Sequence, residues 1–234
     1  MTQCKRMARG GGGFPFRLYR AAAEGNFTGM GNGDGYRFEA VTSQRGEDLA
    51  AFSRDYGKFG YCSCLRWRLP SGPYRDLGRD GRAAALGELV RAGQPVGVLA
   101  YQDERAVGWC SIAPREGYRA ILASRVIPQI PGDGVWSVAC FFLAPQVRRR
   151  GLTALLLDAA CGYAARSGAL IAEAYPWPGG PSYRYMGTRD LYLAAGFHDL
   201  PVPPGYRPVM RRPLPGAPEA AATSTRKPPA PAGP

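Results

Sequence analysis

The stretch QVRRRGLT, Gln146–Thr153, places three arginines and a glycine directly before a helical pattern. It follows the apolar run VWSVACFFL, Val135–Leu143, so that a strand, a turn and a helix are expected in that order. The first N–H groups of a helix lack partners within the helix, and the helix dipole is positive there. Gly151 lets a phosphate approach the backbone, and the arginines add charge-assisted bonds. We therefore predict an anion site, with a solvated arginine loop as the alternative.

Residue content excludes several other kinds of site. The chain holds one histidine, His198, which argues against Ser-His-Asp and Cys-His nucleophile systems. Cys62-x-Cys64 lacks the second ligand pair of a typical structural zinc site, so no metal is expected. Neither the dinucleotide-binding pattern G-x-G-x-x-G nor the phosphate-binding pattern G-x-x-x-x-G-K-[ST] occurs.

The composition predicts a soluble globular protein. The net charge is +12 and 45% of the residues are hydrophobic, which fits one core or at most two small ones. No run approaches the roughly 18 apolar residues of a membrane span, and the basic start lacks an apolar signal core. We expect a cytoplasmic protein whose six cysteines are reduced and mostly buried.

Three regions are expected along the chain. Residues 1–35 are glycine-rich without a sustained apolar period, which predicts a flexible leader in which Met1 and Met30 are both candidate starts. Residues 214–234 are rich in proline and alanine and predict a disordered tail. These two segments hold 7 basic and 3 acidic residues, so the expected domain, residues 36–213, keeps a net charge of +8. The positive charge thus belongs mainly to the folded part.

Hydrophobic periodicity predicts the main elements of that domain. In its first half we expect a strand at Tyr36–Thr42, helices near Gly46–Tyr56 and Arg79–Ala92, and a hairpin formed by PVGVLAYQ and AVGWCSIAP. In its second half we expect a central buried strand at Val135–Leu143, a helix that Gly168 ends, a parallel strand in ALIAEAY, a short helix in TRDLYLAAGF and a terminal strand in YRPVMRR. The long helix is expected to bury one stripe: Leu152, Leu155, Leu156, Ala159, Tyr163 and Ala164.

The segment LAPQVRRRGLT resembles the V-x-P-x-x-R-x-x-G-x-G/A pattern of the GCN5-related N-acetyltransferases, the GNAT superfamily. Leu143, Pro145, Arg148 and Gly151 are in register with that pattern, and Thr153 stands where the family usually has a small residue. The resemblance implies an α/β fold with a mixed, mostly antiparallel sheet, whose central parallel strand pair is splayed and flanked by helices. It also implies acetyl-CoA as cosubstrate.

The resemblance further implies which residues hold acetyl-CoA. The pantetheine arm would pair with the backbone of Phe141, Phe142 and Leu143. The pyrophosphate would rest on the loop and the first turn of the helix: Arg148, Arg149, Arg150, Gly151, Leu152 and Thr153.

Catalytic candidates come from two further segments. DLYLAAGF, Asp190–Phe197, resembles the family's LY-x-x-x-GF, which implies that Tyr192 is the general acid for the CoA thiolate, with packing as the alternative. Glu173 is our candidate base, because a carboxylate in the apolar run LIAEAYP requires a partner or a function. The alternatives are a structural Glu173 bonded to Tyr and Arg side chains, and water as the base. Cys140 and Tyr175 are lesser candidates for lining the reaction centre.

The acceptor side is the least defined part of the sequence. GYCSCLRWR, Gly60–Arg68, resembles a cysteine- and tryptophan-rich segment of one group of bacterial GNAT proteins. Trp67 with Arg66 or Arg68 is a candidate site for a flat or anionic acceptor. The reading that we favour places Tyr61, Leu65 and Trp67 in the core.

We therefore expect an enzyme that transfers an acetyl group directly from acetyl-CoA to a primary amine of a small molecule or peptide, without a metal. The alternative is a non-catalytic acyl-CoA sensor or a longer-chain acyltransferase of the same fold. A nucleic-acid-binding module is a remote alternative, since the arginines are scattered rather than arrayed on one helix. A homodimer is left open, and no membrane partner is expected.

Overall fold

The computed structural model describes residues 29–30, 35–177, 179 and 184–217. The predicted leader and tail therefore lie mostly outside the described residues. Two residues of the predicted leader, Gly29–Met30, pair with the strand Tyr36–Ala40. At the other end, Leu214 is buried, so the first residue of the predicted tail belongs to the core.

The described residues form a sheet with helices on its two faces. The strands are β1 (Gly29–Met30), β2 (Tyr36–Ala40), β3 (Val98–Gln102), β4 (Arg105–Pro114), β5 (Val135–Leu143), β6 (Ile171–Ala174), β7 (His198–Asp199) and β8 (Met210–Pro213). The helices are α1 (Gly46–Asp55), α2 (Gly57–Cys62), α3 (Ser71–Asp76), α4 (Gly78–Arg91), α5 (Arg119–Leu122), α6 (Leu152–Arg166) and α7 (Arg189–Ala194).

The sheet has eight strands in the order β1-β2-β3-β4-β5-β6-β8-β7. Every neighbouring pair is antiparallel except β5 and β6, which are parallel. The predicted fold class, with its central parallel pair, is confirmed. β5 occupies the middle of the sheet because its side chains are apolar on both faces and helices or loops cover each face.

One face of the sheet packs against α6. The core there joins Trp136, Val138 and Phe141 of β5 to the buried stripe of the helix. The predicted stripe needs one correction: Leu157 is fully buried, whereas Leu155 is half-buried. Gly168 follows the helix with a φ of 85°, a left-handed conformation that favours glycine and ends the helix as predicted.

The opposite face carries two further apolar clusters. One lies under α1, α2 and α4, with Phe52, Phe59 and Trp109 at its centre. The other, which we call the acceptor-side cluster, includes Tyr118, Ala139, Tyr175, Met186 and Val209, with Trp67 packed against it. The candidate site therefore has a different core on each side of β5.

Some elements differ from the sequence prediction. The helices α2, α3 and α5 were not predicted, because each is six residues or shorter and none shows a full helical period. The terminal strand begins at Met210 rather than Tyr206, since Tyr206 bonds back to Pro203 in a turn and Leu200 bonds to Val209. Within the described residues, no helix is long and apolar enough to cross a membrane.

The cysteines of the described residues are free thiols, while Cys4 lies outside that part of the chain. Cys64, Cys110 and Cys161 are buried as expected, but Cys62 and Cys140 are partly exposed. Over the same residues, no group of three or more His, Cys, Asp or Glu side chains is placed to hold a metal ion.

Candidate functional site

The pairing of β5 with β6 ends before β5 does, and we call the region beside the remaining part of β5 the gap. Their pairing joins Val135–Val138 to Ile171–Ala174, and β6 ends there, whereas β5 continues to Leu143. A β-bulge at Ala139 interrupts the register with β4 at the same level. Bulges commonly end a pairing and redirect side chains. The last five residues of β5 therefore run along β4 on one side and have no β6 partner on the other, and the parting of the two strands stays a prediction.

The side chains of this part of β5 face the cores. Phe141 packs in the cluster under α6, and Phe142 packs on the other face, with ring centroids 5.8 Å from both Phe52 and Phe59. Leu143 is half-buried. The three residues predicted to bind the pantetheine arm can thus meet a ligand in the gap mainly through their backbone.

The connection from β5 to α6 has an open, tightly turned backbone. Pro145–Val147 form a 3-10 turn, and Arg149 and Gly151 are both left-handed, with φ of 63° and 75°. A β carbon built on Gly151 would meet nothing within 4 Å. No side chain of the described residues caps α6, whose first turn, which includes Leu152 and Thr153, holds no acidic residue. The first amides of α6 are therefore available to an anion.

The three loop arginines are exposed but differ in their contacts. Arg148 Nε donates to the carbonyl oxygen of Leu143 at 3.0 Å, and its guanidinium carbon lies 5.9 Å from the centroid of the Phe142 ring. Arg148 thus lies along the end of β5. Arg149 and Arg150 extend from the turn itself and add positive charge in front of α6.

Tyr192 lies in α7 beside the end of β5. Its side chain is fully buried, its ring centroid is 6.5 Å from that of Phe141, and its hydroxyl donates to the carbonyl oxygen of Met186 at 2.7 Å. Burial raises the pKa of Tyr192 well above its usual range of about 10. The phenol is therefore protonated at neutral pH, as a general acid must be, although its O–H donates to the Met186 carbonyl oxygen in this structure.

Glu173 is the centre of a buried ion-pair network. Its Oε2 accepts from Arg211 Nε at 2.8 Å and pairs with Arg211 Nη2 at 2.7 Å. Its Oε1 accepts from the Tyr175 hydroxyl at 2.6 Å and from Arg115 Nη1 at 3.5 Å. The Tyr175 hydroxyl also lies 2.7 Å from Ser137 Oγ. These contacts match the alternative in which Glu173 is a structural carboxylate held by Tyr and Arg side chains.

Arg68 connects separate segments of the chain on the acceptor side. Its Nη2 lies 3.2 Å from the carbonyl oxygens of both Pro95 and Val96 and 3.3 Å from the Tyr118 hydroxyl. Only 5% of Arg68 is exposed. Because Arg68 donates to carbonyl groups just before β3, it connects the segment after α2 to the sheet. These bonds within the protein already engage its Nη2 donors.

Trp67 has a mixed environment. It is half-buried against the acceptor-side cluster, and the guanidinium carbons of Arg66 and Arg207 lie 5.3 Å and 5.7 Å from the centroid of its ring. The favoured core reading holds for Leu65, which is 1% exposed, and is wrong for Tyr61, which is 63% exposed. Trp67 therefore joins the core to a basic surface.

The two lesser candidates, Cys140 and Tyr175, lie on either side of the gap. Cys140 follows the bulge in β5 and is half-buried, with its Sγ 3.6 Å from the carbonyl oxygen of Phe141. Tyr175 follows β6 and is buried in the acceptor-side cluster with Ala139. The structure thus brings both residues to the level at which the pairing of β5 with β6 ends.

A sequence model described as the acetyltransferase (GNAT) family matches residues 61–186, a little more than half of the chain. The chain belongs to the GNAT acetyltransferase family. The matched region contains β5, the arginine loop, α6 and Glu173, but not the Glu173 partner Arg211. It ends before α7, so Tyr192 lies outside it.

Three solved acetyltransferases align with most of this chain. The PaiA N-acetyltransferase of Thermoplasma acidophilum, in complex with coenzyme A, is 11% identical, with a TM-score of 0.45 over 76% of this chain and 99% of that one. YncA, a putative acetyltransferase of Salmonella typhimurium with acetyl-CoA, is 17% identical, with a TM-score of 0.46 over 81% and 99%. The phosphinothricin acetyltransferase of Sinorhizobium meliloti, with acetyl-CoA, is 17% identical, with a TM-score of 0.46 over 83% and 93%. No curated protein matches the sequence.

Several residues of this GNAT site were missed in the sequence. Arg207, Val209 and Arg211 alternate along YRPVMRR, and all three are buried. That alternation was a usable signal, since Arg211 stands directly opposite Glu173 in the register of β6 and β8. Met186 gave no signal of its own, because its position depends on the packing of Tyr192.

Proposed function

We propose that this GNAT protein is an acetyl-CoA-dependent N-acetyltransferase that transfers the acetyl group directly to a primary amine. The observation that carries the proposal is the end of β5 beyond its pairing with β6, which the turn of residues 144–151 connects to the uncapped N-terminus of α6. One strand thereby joins a row of unpaired backbone groups to a positive helix end. An extended ligand with an amide-bearing arm and a phosphate group fits this combination.

In the proposed complex, the chain holds acetyl-CoA at two places. The backbone of Phe141–Leu143 pairs with the amide groups of the pantetheine arm. The amides from Arg149 to Thr153 bind the pyrophosphate, and Arg149 and Arg150 neutralise its charge. Arg148 gives up its bond to the Leu143 carbonyl when the arm pairs there, and its guanidinium turns to the phosphate.

The transfer needs a polarised carbonyl and a proton for the leaving sulfur. Backbone N–H groups of β5 donate to the thioester oxygen and stabilise the negative charge that develops on it. The amine nitrogen bonds to the carbonyl carbon while the carbon–sulfur bond breaks. Tyr192 then turns its O–H from Met186 to the thiolate and protonates it.

We assign the removal of the amine proton to water. Glu173 is bonded to Arg211, Arg115 and Tyr175, so both of its carboxylate oxygens are already engaged within the fold. In the proposal, Glu173 positions Tyr175 and the chain before β8. Tyr175 in turn holds Ser137 of β5 at the level of the gap.

Both Tyr192 and Glu173 are hydrogen-bonded to groups of the protein itself. This observation favours a second candidate function, a non-catalytic acyl-CoA sensor. A sensor needs the acetyl-CoA site alone, and neither side chain has to leave its partner. The two functions differ in turnover and not in CoA affinity.

Purified protein mixed with acetyl-CoA and a panel of primary amines separates the two. The enzyme releases free CoA thiol only when an accepted amine is present, and mass spectrometry finds that amine heavier by one acetyl group. Calorimetry with CoA gives the affinity in the same buffer. Tight CoA binding without thiol release on any amine would establish the sensor instead.

A further inference from the structure

Arg207 is a buried cation with no anionic partner among the residues that the structure describes. It lies in the β7–β8 loop, where its backbone N–H bonds to the carbonyl oxygen of Val126, and 9% of the residue is exposed. Among the described residues, no carboxylate oxygen comes within 4.0 Å of its guanidinium group. Guanidinium groups in protein interiors are normally paired, because removing a charge from water is costly.

The described side chains around Arg207 supply no oxygen acceptor. Its guanidinium carbon lies 4.7 Å from the centroid of the Trp177 ring and 5.7 Å from that of Trp67. Its Nη1 lies 2.7 Å from Met186 Sδ, and a thioether is a weak acceptor. The indole rings stabilise the positive charge but accept no conventional hydrogen bond. The edge of the planar group, which carries the N–H donors, thus has no oxygen partner among the described side chains.

The other cations of the acceptor-side cluster have oxygen partners, although the buried Nε atoms of Arg68 and Arg115 have none among the described residues. Arg211 and Arg115 pair with Glu173, and Arg68 donates to two backbone carbonyls and a tyrosine hydroxyl. Arg207 differs from all three. Burial also lowers the pKa of Arg207, as expected for a charge held away from water without a counter-ion.

Arg207 lies close to the proposed reaction centre. The same residue, Met186, accepts from the Tyr192 hydroxyl at 2.7 Å through its carbonyl and contacts Arg207 through its sulfur. Met186 also packs with Ala139, the bulge residue of β5, and with Tyr175. Arg207 is therefore on the acceptor side of the gap, on a different face of Met186 from the proposed acid.

We propose that the acceptor amine of this acetyltransferase carries a carboxylate, and that Arg207 binds this carboxylate between Trp67 and Trp177. The inference rests on the proposed function and deepens it. A carboxylate presents two oxygens in a plane and meets the edge of a guanidinium group through two parallel N–H···O bonds.

The test compares amines that differ only in their anionic group. Glycine, L-phenylalanine and L-glutamate are each paired with the α-amide and, for glycine, with aminomethylphosphonate. Binding is measured in the presence of CoA by calorimetry and by tryptophan fluorescence, to which Trp67 and Trp177 contribute two of the four indole rings. Thiol release with acetyl-CoA is measured on the same compounds.

The wild-type protein is expected to bind at least one amino acid about ten to a hundred times more tightly than its amide, the range for a hydrogen bond to a charged group. Arg207→Met abolishes that preference. Arg207→Lys keeps the positive charge but lacks the two parallel N–H donors of a guanidinium group, so this variant retains part of the preference. Arg91→Met is the matched control, because Arg91 is exposed on α4 and pairs with Glu88. The control keeps the wild-type preference.

Equal binding of acids and amides by the wild type, or no binding of any acid, overturns the inference, and so does an Arg207→Met variant that is folded and retains the preference. Tighter binding of aminomethylphosphonate than of glycine overturns the choice of carboxylate. The proposed function has its own failing outcome. If the protein prefers acids over amides through Arg207 but releases no thiol with any of them, the carboxylate site stands and the acetyltransferase activity is contradicted.

Discussion

Gly151 and Gly168 flank α6 and form a matched pair for testing the loop. Both have left-handed backbones, with φ of 75° and 85°, and a β carbon at either position would meet nothing within 4 Å. Alanine at either position therefore introduces no clash, and the cost is conformational. A left-handed backbone costs an L-residue about 1–2 kcal/mol. In a domain of this size, that cost lowers Tm by about 2–4 °C for each kcal/mol.

The two variants should differ in their affinity for CoA. If a phosphate approaches the backbone at Gly151, a methyl group there keeps it at a distance, and we expect Gly151→Ala to raise the Kd for CoA at least about tenfold, or about 1.4 kcal/mol. Gly168→Ala lies at the far end of the helix and should bind CoA as the wild type does. The variants thus share a loss of stability, and only one of them loses affinity.

The assay combines calorimetry with thermal unfolding in the presence and absence of CoA. A ligand that binds the folded state raises Tm according to its concentration relative to Kd, so saturating CoA should protect the wild type and Gly168→Ala more than Gly151→Ala. Equal CoA affinities for the two variants would refute the assignment of the anion to this loop. An equal loss of affinity in both would show that the effect acts through helix stability instead.

Four further predictions test separate parts of the site. Replacing Arg148 and Arg150 by alanine should raise the KM for acetyl-CoA about tenfold to a hundredfold, because each removes a charged donor, and should leave the unfolding curve nearly unchanged since both are exposed. Tyr192→Phe should lower kcat with little change in CoA affinity; full turnover across pH would remove Tyr192 as the acid. Glu173→Gln should lower the free energy of unfolding in urea by about 3–5 kcal/mol, as for a broken buried ion pair, and a loss below about 1 kcal/mol would contradict the network. Burial raises the pKa of Tyr163 to about 12. Because the unfolded residue ionises near about 10, the free energy of unfolding keeps its full value below that pH and falls as the pH rises toward 12. Tyr163→Phe should make this fall less steep in urea unfolding curves recorded from about pH 9 to 11.5.

The sequence predicted the elements whose pattern is long or unambiguous. β5 was predicted with its observed bounds, because a nine-residue run that is apolar on both faces fits a central strand. The bounds of α1, α4 and α6 were predicted to within one residue at each end, or two for the end of α6, since glycine and helical spacing mark them. The short helices between α1 and β3 and the late start of β8 depend on turns and on tertiary contacts that no local pattern shows.

The candidate site was predicted unevenly for a physical reason. The arginine loop follows from local chemistry, because a strand, a glycine turn and a helix start are contiguous in sequence. Glu173 was recognised as a carboxylate that needs partners, but those partners, Arg115 and Arg211, come from distant segments. Arg207 was missed altogether, since its significance lies in having no carboxylate near it among the described residues, and only the folded chain shows that.

The central claim is that the gap beside β5 transfers an acetyl group directly from acetyl-CoA to an amine. Acetyl-CoA labelled with carbon-13 in the acetyl group, incubated with the protein and an accepted amine and then quenched, allows mass spectrometry of both the amine and the intact chain. The account predicts label on the amine in the same amount as thiol released and no acetyl group on the protein. Label that accumulates on Cys140 before it reaches the amine, or thiol release without an acetylated amine, would contradict it.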